Sequence, residues 1–286
     1  MINKLVIFGV GLIGGSFAMA LRQADFVRQI VGFGRSHENM SSALGTYVID
    51  EIGMDPAAAV KDADLVVLAV PVGQMGAIMA SIAPHLAPHT VVTDMGSTKQ
   101  DVEALARKHL FKHLSRFVPG HPIAGAEKSG VKAAREDLFR DRTVVLTPLA
   151  ETDPAAKELV ASLWQGCGAK VAEMTPQQHD ALFATVSHLP HVLAFALVDY
   201  IACQPNAEQL FGFAASGFRD FTRIAASSPE MWRDICLANR EALLAQFEGY
   251  QQELAQIKTL LENNDAKGLE AIFARASEAR RNWSPK

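Results

Sequence analysis

The sequence has few cysteines, little net charge and no signal-peptide pattern, and each shortage excludes a class of protein. Its three cysteines among 286 residues lie far apart without CxxC spacing, which predicts reduced thiols rather than a disulfide framework. A net charge of −4 without a basic stripe argues against nucleic acid as a partner. The apolar N-terminus is short and interrupted by glycines, so we interpret it as a strand and expect a cytoplasmic protein with no membrane partner.

The composition changes at about residue 174, which predicts two domains. Residues 1–174 alternate apolar strand patterns with helix patterns, as in an N-terminal Rossmann-type doubly wound α/β domain. The predicted strands of this domain cover residues 5–8, 29–33, 64–70, 90–93, 116–118, 142–147 and 170–174. Residues 175–286 show no strand pattern, which predicts an all-helical domain. Its helices are expected at about 176–203, 206–225, 229–262 and 266–280, with a kink at Pro190.

The segment from Gly9 to Gly14 reads G-x-G-x-x-G between a predicted strand and a predicted helix. In a dinucleotide-binding unit the first glycine allows a tight turn, Gly11 lets the backbone approach a pyrophosphate, and Gly14 lets the helix pack on the sheet. The helix N-terminus, with Leu12 and Ile13, offers N–H groups to the phosphates. The order of strand, turn, helix and second strand therefore predicts a nicotinamide dinucleotide site.

The end of the second predicted strand lacks the acid that commonly binds the ribose of NAD. The segment reads Gly-Phe-Gly34-Arg35-Ser36, and the last two side chains can donate hydrogen bonds to a 2′-phosphate. An ordinary solvated arginine would be the alternative explanation. We expect NADP to be favoured over NAD. Val70 and Pro71, at the end of the apolar run 64–70, are predicted to line the same cofactor site.

Two polar clusters follow later strands, where ligands bind in open α/β sheets. One is the segment D-M-G-S-T-K, which contains Ser97, and the other begins with His121 between Gly120 and Pro122. A histidine on this stiff backbone lies where a nicotinamide ring would be expected. Because imidazole can accept a hydroxyl proton near neutral pH, His121 is the candidate base of an alcohol dehydrogenation.

The helical half contributes a second set of polar residues. His188 and His191, three residues apart, have the spacing of metal ligands, but no third ligand follows at a suitable distance, so we predict no metal site. Arg219 and Arg223, one helical turn apart, can hold carboxylates through forked hydrogen bonds. An intrahelical pair between Asp220 and Arg223 on a solvated face remains the alternative.

Five blocks of sequence, in this order and spacing, resemble the prephenate/arogenate (cyclohexadienyl) dehydrogenase family of tyrosine biosynthesis. The blocks are GVGLIGGS, DMGSTK, GHPIAGAEKSG, SHLPH and GFRDFTRIA followed by MWRDI. The resemblance covers nearly the whole chain. It implies a Rossmann domain followed by a helical substrate and dimerisation domain, hence a homodimer, and oxidative decarboxylation of prephenate or L-arogenate with hydride transfer to NAD(P)+.

The resemblance also implies roles for individual residues. His121 would accept the proton of the ring 4-hydroxyl, and Ser97 would hydrogen-bond both the histidine and that hydroxyl. Arg223 would anchor a substrate carboxylate, with His191 and His188 near the substrate side chain. Two further substrate-binding residues are implied at the pocket mouth and near the dimer interface, Glu127 and Arg219.

Two other functions share parts of this pattern. A β-hydroxyacid dehydrogenase of the 6-phosphogluconate type also combines a Rossmann start with a helical domain, but it uses a lysine base, and Lys258 and Lys267 open no convincing motif. A regulatory protein that senses NADP would leave His121, Ser97 and Arg223 without a role. The choice between prephenate and L-arogenate stays open, because the two differ only in a keto or amino group.

Overall fold

The computed structural model describes residues 1–125 and 128–283. Its backbone forms two compact units, Met1–Asn239 and Arg240–Lys286. The compositional change near residue 174 lies inside the first unit, where the chain passes from strands to helices. The candidate site residues that the structure describes all belong to this first unit.

A parallel sheet of six described strands forms the centre of the first unit. The strands are β1 (Ile2–Phe8), β2 (Val27–Phe33), β3 (Glu51–Ile52), β4 (Leu65–Leu68), β5 (Val91–Asp94) and β6 (Phe117–Val118). Their spatial order is β3-β2-β1-β4-β5-β6. The predicted doubly wound sheet is therefore confirmed, and the order reverses between β1 and β4, where such folds have a crevice at the carboxyl ends of the strands.

Both faces of the sheet are covered, as its continuous apolar runs predict. Successive residues of β1 face opposite sides: Leu5 and Ile7 belong to one buried cluster, whereas Val6 and Phe8 belong to the other. The helices around the sheet are α1 (Leu12–Gln23), α2 (His37–Gly45), α3 (Pro56–Val60), α4 (Val72–Ile82), α5 (Gln100–His109) and α6 (Pro154–Gly166).

The later strands form a separate small sheet rather than extending the first one. It consists of β7 (Gly120–Pro122), β8 (Thr143–Leu146) and β9 (Lys170–Glu173). β7 runs antiparallel to β8, and His121 lies opposite Val145 in that pair. Gly120, the first residue of β7, donates its backbone N–H to the side chain of Asp94, the last residue of β5, so the backbone of His121 lies next to the carboxyl end of β5.

The helical part of the first unit begins with one long helix. It comprises α7 (Pro176–Phe183), a π-helical turn (Ala184–His188) and α8 (Leu189–Ala202). The backbone stays helical through Pro190, and the wider π turn comes just before it. Thr175 and Gln178 form a capping box at the start, which is a strong helix-initiating pattern.

Two of the remaining predicted helices are divided in the structure, whereas the predicted helix 266–280 is continuous as α13 (Ala266–Asn282). The predicted helix 206–225 is divided into α9 (Ala207–Gly212), α10 (Ser216–Thr222) and a 3₁₀ turn (Arg223–Ala226). The predicted helix 229–262 ends first at Asn239, which separates α11 (Pro229–Ala238) from α12 (Arg240–Glu262). In the second unit, α12 packs against α13 (Ala266–Asn282), and the Asp265 side chain caps α13.

An 18-residue window of the long helix Pro176–Ala202 has a mean hydropathy of 1.7, so the helix could cross a membrane by length and composition alone. Its first turns nevertheless carry His179 and Asp180, both fully buried. Asp180 accepts backbone hydrogen bonds from the start of α5. These first turns are therefore packed inside the protein, whereas 28% of the apolar window of the helix is buried.

Candidate active site

The glycine turn between β1 and α1 has the geometry that a dinucleotide requires. Gly9 has φ of +99°, and a Cβ there would lie 2.3 Å from the Ala69 carbonyl oxygen. A Cβ on Gly14 would lie 2.2 Å from the Gly9 carbonyl oxygen, so the helix packs directly on the turn. A Cβ on Gly11, in contrast, would meet no atom within 4 Å. The space beside Gly11 is therefore open, at the N-terminus of α1.

The residues predicted to hold the cofactor surround this turn. Leu12 and Ile13 begin α1 and are partly exposed. Val70 and Pro71 follow β4 and are partly exposed as well, and β4 is the neighbour of β1 in the sheet. These positions flank the crevice at the strand-order reversal, so they fit the diphosphate and nicotinamide portions of a dinucleotide.

Packing against α2 favours glycine, rather than an acid, at position 34 after the end of β2. A Cβ on Gly34 would lie 2.5 Å from the Sδ of Met40, a buried residue of α2. Ser36 caps α2 by accepting a hydrogen bond from the backbone N–H of Asn39. Arg35 is exposed, and its two terminal nitrogens lie 3.3 and 3.4 Å from the two carboxylate oxygens of Glu230. Arg35 is thus near the expected ribose position but already bears a counter-ion.

A fully buried ion pair lies under the site. Lys99 and Asp94 both have 0% exposed side chains and form a direct salt bridge. The Asp94 carboxylate also accepts hydrogen bonds from the backbone N–H groups of Gly96, at 2.7 Å, and Gly120, at 3.2 Å. Because buried charges need such partners, Asp94 joins the turn after β5 to the start of β7.

His121 belongs to a chain of hydrogen bonds that ends on a helix N-terminus. Its Nδ1 lies 2.8 Å from Nε2 of His179, whose Nδ1 lies 2.8 Å from Oδ1 of Asp180. The two carboxylate oxygens of Asp180 accept from the backbone N–H groups of Lys99, at 2.8 Å, and Gln100, at 2.9 Å. A carboxylate at the start of α5 is also favoured by the helix dipole.

The surroundings keep these histidines neutral. Burial, assisted by the charges of His179, Lys99 and His188, holds the pKa of His121 well below its ordinary value. Burial also lowers the pKa of His179, and the Asp180 carboxylate offsets only part of that effect. A neutral imidazole retains the lone pair that a general base requires.

Burial raises the pKa of Asp180, but hydrogen bonds from His179, Gln100 and Lys99 outweigh it. The net result is a pKa below the ordinary value for that carboxyl. Asp180 is therefore ionised at neutral pH and acts only as a hydrogen-bond acceptor.

The His188 ring has two hydrogen-bond partners, Asn239 and the Ser97 backbone. Asn239 Nδ2 donates to the Asp180 backbone oxygen, at 2.8 Å, and lies 3.1 Å from His188 Nδ1. The Ser97 backbone also hydrogen-bonds the ring. Burial is the largest cause that lowers the pKa of His188 to about 4. Ser97 and His188, from the two halves of the sequence, thus lie side by side.

His191 continues the cluster toward the basic part of the helical half. Its Nδ1 lies 2.9 Å from the Ser187 carbonyl oxygen, and its ring stacks on Trp232 with centroids 3.8 Å apart. Burial lowers the pKa of His191, and the nearby charge of Arg223 lowers it further. The structure therefore brings Arg223, His191, His188, Ser97 and His121 into one connected region.

One described residue that was predicted to bind substrate, Arg219, stands outside this region. The Arg219 side chain is 80% exposed, and its Nε lies 3.8 Å from the adjacent Asp220 carboxylate. Glu127 lies outside the described residues. Over residues 1–125 and 128–283, no group of three or more His, Cys, Asp or Glu side chains is arranged to hold a metal ion.

His179, Asp180 and Asn239 were not predicted as site residues. The Gln-Gln-His-Asp run after Pro176 resembles an ordinary polar helix start. Its only signal is a histidine next to an aspartate on a helix that otherwise carries the predicted His188 and His191. The spacing of His179 and His188 also hides the fact that both belong to one cluster. Residues nine apart are separated by about two and a half turns, so they lie on opposite faces of a regular helix. The π-helical turn between them shifts the later residues around the axis.

Comparisons with known proteins match both halves of the chain. Residues 17–173 match the family model of the prephenate dehydrogenase nucleotide-binding domain, and residues 175–275 match that of the prephenate dehydrogenase dimerization domain. Prephenate dehydrogenase of Bacillus subtilis is 40% identical over 280 residues, which span 97% of this chain and 75% of the relative. Cyclohexadienyl dehydrogenase of Zymomonas mobilis is 34% identical, over 97% of this chain and 95% of the relative.

A solved structure agrees with these matches. Prephenate dehydrogenase of Aquifex aeolicus, in complex with hydroxyphenyl propionate and NAD+, superposes with a TM-score of 0.91 and 38% identity. The superposition covers 98% of each chain. The chain therefore belongs to the prephenate dehydrogenase family.

Proposed function

We propose that this protein catalyses the oxidative decarboxylation of prephenate, L-arogenate or both, with hydride transfer to NAD(P)+ and a preference for NADP+. The products are 4-hydroxyphenylpyruvate and L-tyrosine respectively. The observation that carries the proposal is the neutral His121, hydrogen-bonded to His179 at 2.8 Å. It lies on β7 near the carboxyl end of β5, on the side of the sheet where ligands bind in this fold.

His121 acts as the general base. Its ring accepts the proton of the substrate 4-hydroxyl while the C4 hydride leaves the ring and the ring carboxylate departs as CO2. A bound nicotinamide supplies the acceptor for that hydride. The low pKa of His121, caused mainly by burial, keeps the base form available at neutral pH. Loss of CO2 and aromatisation make the step effectively irreversible.

Substrate recognition falls to the helical half. A dianionic substrate needs a cation, and Arg223 can meet a carboxylate through a forked pair of hydrogen bonds. The charge of Arg223 lies close enough to His191 to lower its pKa, in addition to the larger effect of burial. Arg223 and His191 can therefore contact neighbouring parts of one small molecule. Ser97 and His188 are assigned to the hydroxyl end and the substrate side chain. Glu127 is assigned to the pocket mouth, and Arg219 is assigned to a substrate-binding position near the dimer interface.

The preference for NADP+ rests on Arg35 and Ser36 at the end of β2. Arg35 is paired with Glu230, and a 2′-phosphate would compete for the same guanidinium. The Aquifex aeolicus relative binds NAD+ in its solved complex, so both cofactors require direct comparison. A strong NAD+ preference in kcat/KM would refute this part of the proposal.

Homodimer formation through the helical half is also proposed. The match to a dimerization-domain model covers residues 175–275. In addition, α8 to α10 expose large apolar side chains such as Tyr200, Phe213 and Phe221, which is a feature of protein interfaces. Equilibrium sedimentation at micromolar concentration tests it, and a monomer would refute it.

The decisive assay combines the purified protein with prephenate or L-arogenate and with each cofactor, and follows absorbance of the reduced nicotinamide. We expect turnover with at least one of the four combinations. His121→Asn should abolish turnover and leave substrate binding largely intact, whereas Arg223→Ala should mainly raise KM. Near-normal kcat in the histidine variant would defeat the assignment of the base. His85→Asn, at an exposed histidine, is the matched control.

A further inference from the structure

Asp180 ends a hydrogen-bond chain whose direction can be worked out from its donors and acceptors. An ionised carboxylate accepts hydrogen bonds and donates none. Asp180 Oδ1 lies 2.8 Å from His179 Nδ1, so that nitrogen carries a proton. A neutral imidazole has one N–H, and the pKa of His179 is lowered, mainly by burial. His179 Nε2 is therefore a lone-pair acceptor.

The same reasoning extends to the next ring. His121 Nδ1 lies 2.8 Å from His179 Nε2. Because that Nε2 can only accept, His121 Nδ1 is the donor and carries the proton of the neutral ring. His121 Nε2 is left with the lone pair. Phe183 packs against both rings, with centroids 5.0 Å from His121 and 4.5 Å from His179, which restricts their rotation.

We propose that Asp180 and His179 are positioning residues, which hold His121 as the Nδ1–H tautomer and so direct the Nε2 lone pair to the substrate. This inference rests on the proposed role of His121 as the base. When the substrate O–H bond breaks, its proton forms the Nε2–H bond of His121, and the Nδ1–H of His121 stays in place and continues to donate to His179 Nε2. The arrangement corresponds to the aspartate–histidine pair of a catalytic triad, with a second imidazole inserted between carboxylate and base.

The anchor of this chain is the backbone at the N-terminus of α5. Lys99 and Gln100 donate their backbone N–H groups to the two Asp180 oxygens, so the carboxylate cannot rotate without losing both bonds. His179 therefore has a fixed acceptor on one side and a ring to orient on the other.

The first test needs no substrate. Long-range ¹H–¹⁵N correlation spectra of the ¹⁵N-histidine-labelled protein at pH 7.5 distinguish the two neutral tautomers. We expect His121 and His179 both to be protonated at Nδ1. His121 protonated at Nε2 would overturn the inference, and it would do so whether or not the protein turns over prephenate.

The second test is kinetic, with whichever substrate and cofactor the wild type uses. His179→Asn removes the acceptor at the Nε2 position, so His121 can carry its proton on either ring nitrogen. We expect kcat to fall on the order of 10²-fold or more, as it does when a triad histidine loses its orienting partner. KM should change little. His179→Gln returns an amide to the Nε2 position and should recover part of kcat. A wild-type kcat in His179→Asn would refute the inference, and His85→Asn controls for handling.

Discussion

The neutral state of His188 makes a definite prediction about acid stability. The pKa of His188 is lowered to about 4, first by burial, and its ring is 1% exposed. In the unfolded chain the same group has an ordinary pKa of 6.5. A difference of one pKa unit between the folded and unfolded states corresponds to about 1.4 kcal/mol. Protonation of His188 therefore lowers the free energy of unfolding by about 3 kcal/mol once the pH reaches 4.

The sign follows from which state binds the proton. The folded pKa is depressed, so this contribution to stability is fully present above pH 6.5 and is lost as the pH falls from 6.5 to about 4. The Asn239 amide reinforces the effect, because it donates to the Asp180 carbonyl and presents its other N–H toward His188 Nδ1. A proton on Nδ1 of His188 would point at the Asn239 N–H, which is itself a donor, so the two groups could not form a hydrogen bond.

The assay is urea unfolding at several pH values between 7.5 and 4 for the wild type, His188→Asn and His85→Asn. The His188 variant should be less stable at pH 7.5, but its free energy of unfolding should fall by about 3 kcal/mol less over this range. His121 and His179 are present in all three proteins, so the difference between the curves reports His188 together with its electrostatic coupling to these two histidines. Parallel curves for the wild type and His188→Asn would show that His188 is not held neutral, and would refute the reasoning.

Three further changes probe the supports of the site. Lys99→Met leaves the buried Asp94 carboxylate without its counter-ion and should lower the free energy of unfolding by about 3–5 kcal/mol; a loss below 1 kcal/mol by urea unfolding would contradict this. Gly11→Ala meets no atom, so Tm should hold while the cofactor KM rises on the order of tenfold; an unchanged KM would argue against pyrophosphate binding there. Glu230→Gln removes the carboxylate facing Arg35 and should lower the NADP+ KM more than the NAD+ KM; equal changes would separate Glu230 from cofactor choice.

Much of the fold could be predicted because its signals are local. A buried parallel strand is a short apolar run, and the segments around β1, β4 and β5 have that form. The glycine turn is equally local, since φ of +99° at Gly9 and the contact between Gly14 and Gly9 follow from three residues within six positions. The signal for the candidate base is also local, because His121 is enclosed by a glycine and a proline after a strand.

The hydrogen-bonded partners of His121 could not be predicted, because they depend on how distant elements pack together. Asp180 is 80 residues from Gln100 in sequence and meets it only when α7 packs against the start of α5. The break at Asn239 has the same origin. A helix pattern continues across it, but the side chain leaves the helix surface to bond Asp180 and His188. Contacts between elements that are distant in sequence produce no periodic pattern of apolar and polar residues, so they cannot be predicted from the sequence pattern.

The Asp180 carboxylate links the stability of the fold to the chemistry of the proposed site. It stabilises the N-terminus of α5, whose Lys99 side chain lies buried on Asp94. Burial lowers the pKa values of both His121 and His179, and the charge of Lys99 adds to that effect. A base with a lowered pKa is available at neutral pH but accepts a proton less readily. A reaction that ends in loss of CO2 and formation of an aromatic ring tolerates a weak base, because its driving force does not depend on keeping that proton. A fixed tautomer then matters more than basicity, since the lone pair must point at the hydroxyl when the hydride leaves.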